Sequence, residues 1–165
     1  MMGAGKSSVG RCLQRRTGLH LFDSDEAVSR KLGLSIPEIF DRFGEEKFRQ
    51  TESEVLREFA PTKPTIVVTG GGTILRPENV GRLKGLGFVL WLDADDRTLF
   101  ERASRRGHRP LLQTENPQAR FEALVAERNP LYAHAADVRI DTSTMNHDEV
   151  AEIVLSQVQE LLATR

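Results

Sequence analysis

Met1–Met2–Gly3–Ala4–Gly5–Lys6–Ser7–Ser8 opens a chain of 165 residues, and its reading decides the fold. Glycines alternating with a small residue, then lysine and serine, form the back end of a phosphate-binding loop. The glycines let backbone N–H groups turn inward to phosphate oxygens, and a following helix adds its positive N-terminal end. Lys6 is placed to neutralise β- and γ-phosphates, and the Ser7 hydroxyl to sit on Mg²⁺. A small-residue turn before a helix is the bland alternative. The sequence GxGKS ahead of Val9, Cys12 and Leu13 at helical spacing is more specific than that. The first glycine of the full motif, and the strand that feeds it, would lie before Met1. Such a strand is normally central in its sheet, so a start upstream of Met1 is expected over a fold built without it.

Outward from this loop, strand-like and helix-like segments alternate, the mark of an α/β fold. After a helix stopped by Gly18, Leu19–Phe22 reads as a short strand ending at Asp23–Ser24–Asp25. A helix to about Leu32 follows, stopped by Gly33. Ser35–Ile36–Pro37–Glu38 reads as a capping box with proline in the first turn. The helix it opens is expected to bury Ile39, Phe40 and Phe43 up to Gly44. A second, long helix over 45–60 carries Phe48, Val55, Leu56 and Phe59 near one face. Thr65–Thr69 is an apolar strand running into Gly70–Gly71–Gly72, and Phe88–Leu92 is another, ending at Asp93. Unbroken apolar strands suit a parallel sheet covered on both sides. Helices over about 96–106 and 117–128, a strand at Val138–Ile140, and a C-terminal helix with Val150, Ile153, Val154, Val158, Leu161 and Leu162 complete the pattern. No repeat, low-complexity block or linker interrupts residues 1–165, so one domain is expected.

Composition bounds the function. Hydrophobic residues make up 39% and charged residues 28%, as in a globular chain, and no apolar run reaches a membrane span. A net charge of −1 gives no global field for nucleic acid. The single cysteine, Cys12, excludes an intrachain disulfide framework and a multi-cysteine zinc site, and favours a cytoplasmic setting. Only five of the 23 basic side chains are lysines, leaving 18 arginines. That suits bidentate anion recognition or simply a GC-rich genome.

Several positions carry candidate chemistry. Asp23 and Asp25 stand at a strand's C-terminal end, which faces the ligand crevice in an open α/β sheet. One carboxylate can hold metal-bound water while the other accepts a hydroxyl proton; an Asx turn capping the next helix is the alternative. Arg49 lies three residues before Glu52. An exposed pair at that spacing contributes only about 0.2–0.5 kcal/mol; the functional version has Glu52 aiming Arg49 at a substrate carboxylate. Three successive glycines at 70–72 are entropically costly and suit close approach of a small ligand. Arg109, in the loop Arg105–Arg106–Gly107–His108–Arg109–Pro110, is a candidate lid arginine. Arg128 ends a predicted helix, where a cation is favourable in any case. The four histidines show no metal-ligand spacing.

Taken together, MGAGKSSVGR, FDSDE, GEEKFRQTE, TGGGT, HRPLL and ERNPLY resemble shikimate kinase, a P-loop small-molecule kinase family, in order and spacing over nearly the whole chain. The resemblance implies a three-layer α/β P-loop kinase fold with a parallel sheet of about five strands. It also implies a lid near 109–116 and a substrate-binding helical segment around 35–60. It implies transfer of the γ-phosphoryl of ATP, with Mg²⁺, to the 3-hydroxyl of shikimate by a cytoplasmic monomer. By the same resemblance Gly3, Ala4, Gly5, Lys6, Ser7 and Ser8 surround the ATP phosphates, and Arg102 lies over the adenine. Ser7 and, through water, Asp23 hold the metal. Asp25 contacts the acceptor hydroxyl as the base, and Lys6 and Arg109 stabilise the transferring group. Arg49 and Arg128 clamp the shikimate carboxylate, Gly71 and Gly72 contact the ring, and Phe40 and Phe48 line the pocket. Thr142–His147 departs from the family in lacking a proline common there. Two alternatives stay open: a related kinase, such as one for gluconate, which a substrate panel would separate, and an inactive truncated relative that binds a partner.

Overall fold

The computed structural model describes residues 1–105 and 110–164. Helix α1 (Lys6–Thr17) starts directly after the glycine loop and ends at Gly18, whose N–H bonds back to Gln14. Strand β1 (His20–Asp23) feeds α2 (Ser24–Leu32), with Asp23 as its N-cap. Helix α3 (Ile36–Glu58) begins with the expected capping box between Ser35 and Glu38. Gly44 interrupts it with φ 77° and ψ 174°, so the two helices read from the sequence are one element with a break at the anticipated residue.

Strand β2 (Thr65–Val68), a 3₁₀ turn at Thr73–Leu75, α4 (Pro77–Leu86) and β3 (Leu90–Asp93) follow. Next come α5 (Asp96–Ser104), a 3₁₀ turn at Pro110–Leu112 and α6 (Pro117–Ala135). Strand β4 (Val138–Asp141) and α7 (His147–Ala163) end the chain. Helix α4 had no counterpart in the sequence reading, although Pro77 occupies its first turn, where a missing N–H costs nothing. Helix α6 outruns its expected end at Arg128 by seven residues and passes through Pro130. Proline inside a helix costs about 3 kcal/mol; burial of Tyr132 and Ala135 beyond it opposes that cost.

The sheet differs from the expectation of about five strands. Among the described residues there are four, in two parallel pairs: β1 with β2, in register His20 to Thr65, and β3 with β4, in register Leu90 to Val138. Neither β2 nor β3 has a second ladder partner among the described residues. Met1 itself is buried with the main core, and its carbonyl carbon lies beside Gly71.

The main core gathers residues from α1, β3, α5, α6, β4 and α7. Helix α1 packs on α7 and across β1 and β2. A second, smaller cluster of Val28, Ile39, Phe48 and Val55 joins α2 to α3. Leu111 and Leu112, in the expected lid, pack against the main core; Arg109 lies outside the described residues. Two expected core positions are corrected. Phe43, one residue before the break in α3, is 53% exposed, and Leu162, in the last turn of α7, is 62% exposed. Phe43 lies on the turn of α3 that Gly44 breaks, and Leu162 on the last turn of α7, so helical spacing alone does not carry either one inward. No helix of the described residues is long and apolar enough to cross a membrane.

Ile39 and Phe43 are four residues apart on one helix, yet only Ile39 is enclosed. Ile39→Ala should lower unfolding free energy by about 2–5 kcal/mol in urea titrations, and Phe43→Ala by no more than about 0.5 kcal/mol. Equal losses would contradict this placement.

Candidate active site

The loop at the head of α1 adopts the geometry its glycines allow. Gly3 and Gly5 have φ of 82° and 81°, which other residues adopt only with strain. A Cβ on Gly3 would also collide with the Leu99 carbonyl, so this end of the loop lies flat against α5. Lys6 turns back to donate to the Met1 carbonyl at 2.7 Å. Ser7 Oγ donates to Asp23 Oδ2 at 3.2 Å. Thus the serine expected on the metal and the carboxylate expected to hold its water are brought together from α1 and the end of β1. Asp23 also fulfils the Asx-turn alternative, since its Oδ1 accepts from the N–H groups of Asp25 and Glu26. The two readings use different oxygens of one side chain. A serine hydroxyl beside a carboxylate oxygen is the hard oxygen donor set that Mg²⁺ takes. No cluster of three or more His, Cys, Asp or Glu that could hold a metal ion occurs among the described residues.

Asp25, two residues on, points elsewhere. Its Oδ1 is buried without a hydrogen-bond partner. Burial, reinforced by the negative charges of Glu52 and Asp23, raises its pKa to about 6, against the opposing pull of Lys6 and Arg49. An orphaned, partly neutralised carboxylate in reach of two cations is the arrangement expected of a proton acceptor.

The glycine triplet explains how these charges coexist. A Cβ on Gly70 would fall 2.7 Å from Asp25 Oδ1 and 2.9 Å from Glu52 Oε1, and one on Gly72 would fall inside the Arg49 guanidinium. Arg49 is buried and doubly held. Its Nη1 donates to Glu52 Oε2 at 2.8 Å, while Nε and Nη2 donate to Glu45 Oε1 at 3.2 and 3.1 Å. The same side chain lies over the Phe48 ring, 4.9 Å from its centroid, and Phe48 packs on Phe40. The i,i+3 pair is therefore the buried version, with Glu52 fully enclosed.

Arg128 approaches from α6. It is buried, its Nε has no partner, and it hydrogen-bonds Tyr132 one turn later. Tyr132 in turn donates to the Gly71 carbonyl at 2.5 Å. Burial lifts the Tyr132 pKa to about 12, despite the neighbouring charges of Arg128 and Arg49, so it stays a donor at all physiological pH. Arg49 from α3 and Tyr132 from α6, one turn beyond Arg128, thus meet one glycine segment. Arg102 bonds Thr142 Oγ1 and O and the Ser143 carbonyl at 3.0–3.2 Å, tying α5 to the loop after β4 on the phosphate-loop side of the molecule. Ala4 is buried in the main core, Gly71 meets the Tyr132 hydroxyl and Gly72 the Arg49 guanidinium.

Sequence reasoning passed over Glu45, Thr73 and Tyr132. Glu45 was signalled by its i,i+4 spacing to Arg49. Tyr132 stood in the ERNPLY stretch, and Thr73 closed the TGGGT stretch, each without a role.

This geometry has relatives. The family model for shikimate kinase matches residues 2–159. Curated proteins named shikimate kinase from Thermodesulfovibrio yellowstonii and Symbiobacterium thermophilum are 41% and 42% identical, over 97% of this chain in each case and 92% and 93% of those proteins. Among solved structures, the shikimate kinase of Acinetobacter baumannii in complex with shikimate superposes with a TM-score of 0.90 at 38% identity, covering 99% of this chain and 90% of that one. The enzyme from Aquifex aeolicus gives 0.82 at 32%, over 96% and 92%. A glycine loop over α1, a carboxylate pair after β1 and two arginines about a glycine triplet, on a fold shared over this length, place the chain in the shikimate kinase family.

Proposed function

We propose that this chain transfers the γ-phosphoryl group of ATP to the 3-hydroxyl of shikimate. One observation carries the reading. The unpartnered Asp25 Oδ1 lies beside Gly70, where the charges of Lys6 from the phosphate loop and Arg49 from α3 both act on it. A hydroxyl bound there meets a proton acceptor in the field of one phosphate-binding cation and one carboxylate-binding cation. The A. baumannii relative, by its description, binds shikimate.

In this reading Gly3, Ala4, Gly5, Lys6, Ser7 and Ser8 hold the triphosphate, and Arg102 borders the adenine. Ser7 and, through water, Asp23 would hold Mg²⁺, which when bound supplies charge neutralisation to the phosphates. Arg49 and Arg128 clamp the shikimate carboxylate, and Gly71 and Gly72 let the ring approach the backbone. The bond between the γ-phosphorus and the ADP oxygen breaks as the bond to the shikimate oxygen forms. The hydroxyl proton passes to Asp25, and ADP leaves with the electron pair. Lys6, with Arg109 in the role the resemblance gives it, offsets charge on the transferring group. Catalysis here is positioning and electrostatics, and every other part of the site serves one of those ends. A monomeric, single-domain enzyme of the cytoplasm belongs to the same reading; the free thiol of Cys12, hydrogen-bonded to Asp148, supports the compartment alone.

A coupled assay of ADP release across a panel of sugar acids and cyclic hydroxy acids tests the substrate. Release that depends on shikimate and not on gluconate is expected; none with shikimate would overturn the assignment. Arg49→Lys should raise the shikimate KM by about tenfold or more and leave that of ATP near wild type, because a point charge cannot reproduce a forked contact.

Asp25 sets a pH dependence with a definite sign. The base works only when ionised, so kcat/KM should rise with pH through a limb near 6. Because its folded pKa lies above the ordinary carboxylate value, its ionisation opposes folding. Its contribution to stability is present in acid and is lost as pH climbs through about 6. Asp25→Asn removes turnover and that loss together. Denaturation midpoints should therefore favour the variant over wild type more at about pH 7.5 than at about pH 4.

A further inference from the structure

The hydroxyl of Thr73 has no part in the chemistry above, yet it makes one of the most enclosed contacts in the molecule. Thr73 follows the glycine triplet and opens the 3₁₀ turn Thr73–Leu75. It is fully buried, and its Oγ1 donates to Glu52 Oε1 in a short hydrogen bond. Its backbone is held too, since the buried Asn79 donates from Nδ2 to the Thr73 carbonyl at 3.3 Å. Glu52, equally enclosed, thus divides its oxygens: Oε2 to Arg49, Oε1 to Thr73.

Two consequences follow from elementary geometry. A carboxylate bonded to one cation through one oxygen can still rotate about its terminal torsion, which is broad and soft. A second bond, from a residue anchored in the neighbouring turn, removes that freedom. Moreover Glu52 Oε1 and Asp25 Oδ1 approach the same face of Gly70, so an unheld Glu52 would present a bare oxygen to another carboxylate. Arg49, packed against Gly72, has its Nε and Nη2 held by Glu45, and its Nη1 takes its direction from Glu52.

We propose that Thr73 is a positioning residue for the acceptor: its hydroxyl pins Glu52, and Glu52 so pinned holds the Arg49 fork against Gly72 in the pose that receives a carboxylate. This rests on the role given to Arg49 above. Thr73 touches neither the acceptor nor the nucleotide, so its effect is confined to one substrate. Serine keeps the donor; valine keeps the shape and loses it.

Binding of shikimate and of ATP to wild type, Thr73→Val and Thr73→Ser is measured by calorimetry, with kinetics alongside. Thr73→Val should weaken shikimate binding about tenfold, in Kd and KM, with ATP affinity and kcat at saturation within about threefold, and Thr73→Ser should stay within about twofold of wild type throughout. Unchanged shikimate affinity in Thr73→Val overturns the proposal. So does equal damage in Thr73→Ser, which would make volume and not the hydroxyl the cause. If Thr73→Val does not fold, Thr73→Ala is compared with Thr73→Ser by the same two criteria. A wild-type chain that does not bind shikimate overturns the parent reading and this one with it. Binding by wild type with all variants equal removes Thr73 alone.

Discussion

Charged side chains can be stored inside this protein because a stretch of backbone without Cβ atoms runs between them. Asp25, Glu52 and Arg49 crowd Gly70 or Gly72 more closely than a side chain there would permit, and Tyr132 lies tightly against Gly71. Isolated buried charges are expensive, and breaking one partner of a buried pair costs about 3–5 kcal/mol. Here each charge is answered. Glu52 has Arg49 and Thr73, and Arg49 has Glu45 as well. The exceptions are Asp25 Oδ1 and Arg128 Nε, left without partners among the described residues. In the proposed function, those two atoms would receive the hydroxyl and the carboxylate of the substrate.

The fold serves this arrangement by delivering ends of elements to one place. Parallel strands put Asp23 at the C-terminal end of β1, beside that of β2, which leads into the glycines. Helix α1 begins at the phosphate loop, and its Ser7 meets Asp23. The long α3 contributes Arg49 and Glu52 from beyond its break at Gly44. Helix α6, carried through Pro130, places Tyr132 on Gly71 and Arg128 one turn before it. Had α6 stopped at Arg128, that arginine would have been a helix terminus and not a buried wall.

Much of the architecture was legible because it is local. The Ser35–Glu38 capping box, the stops at Gly18 and Gly33, and the break at Gly44 each depend on a few adjacent residues. The errors came where local rules meet distant packing. Phe43 satisfies the helical spacing and still faces solvent. Pro130 reads as a terminator and is overridden by burial on either side. Helix α4 was missed because a short segment with two glycines, Gly81 and Gly85, has a weak helical pattern of its own; its contacts are with α3 and the turn at Thr73–Leu75.

The sequence alone determined which chemistry is available: GxGKS, two aspartates after a strand, arginines in FRxxE and ERxxxY, and a glycine triplet, in an order that identifies the family. Those signals are written in residue type and spacing. Tertiary structure alone decided how they share charge. It separated the two oxygens of Asp23 between a helix cap and Ser7, left Asp25 unpaired and pushed its pKa up, and recruited Thr73, Glu45 and Tyr132 to hold the rest. The reason is that burial and the distance between charges depend on every element that packs around them, and no window of sequence contains that information.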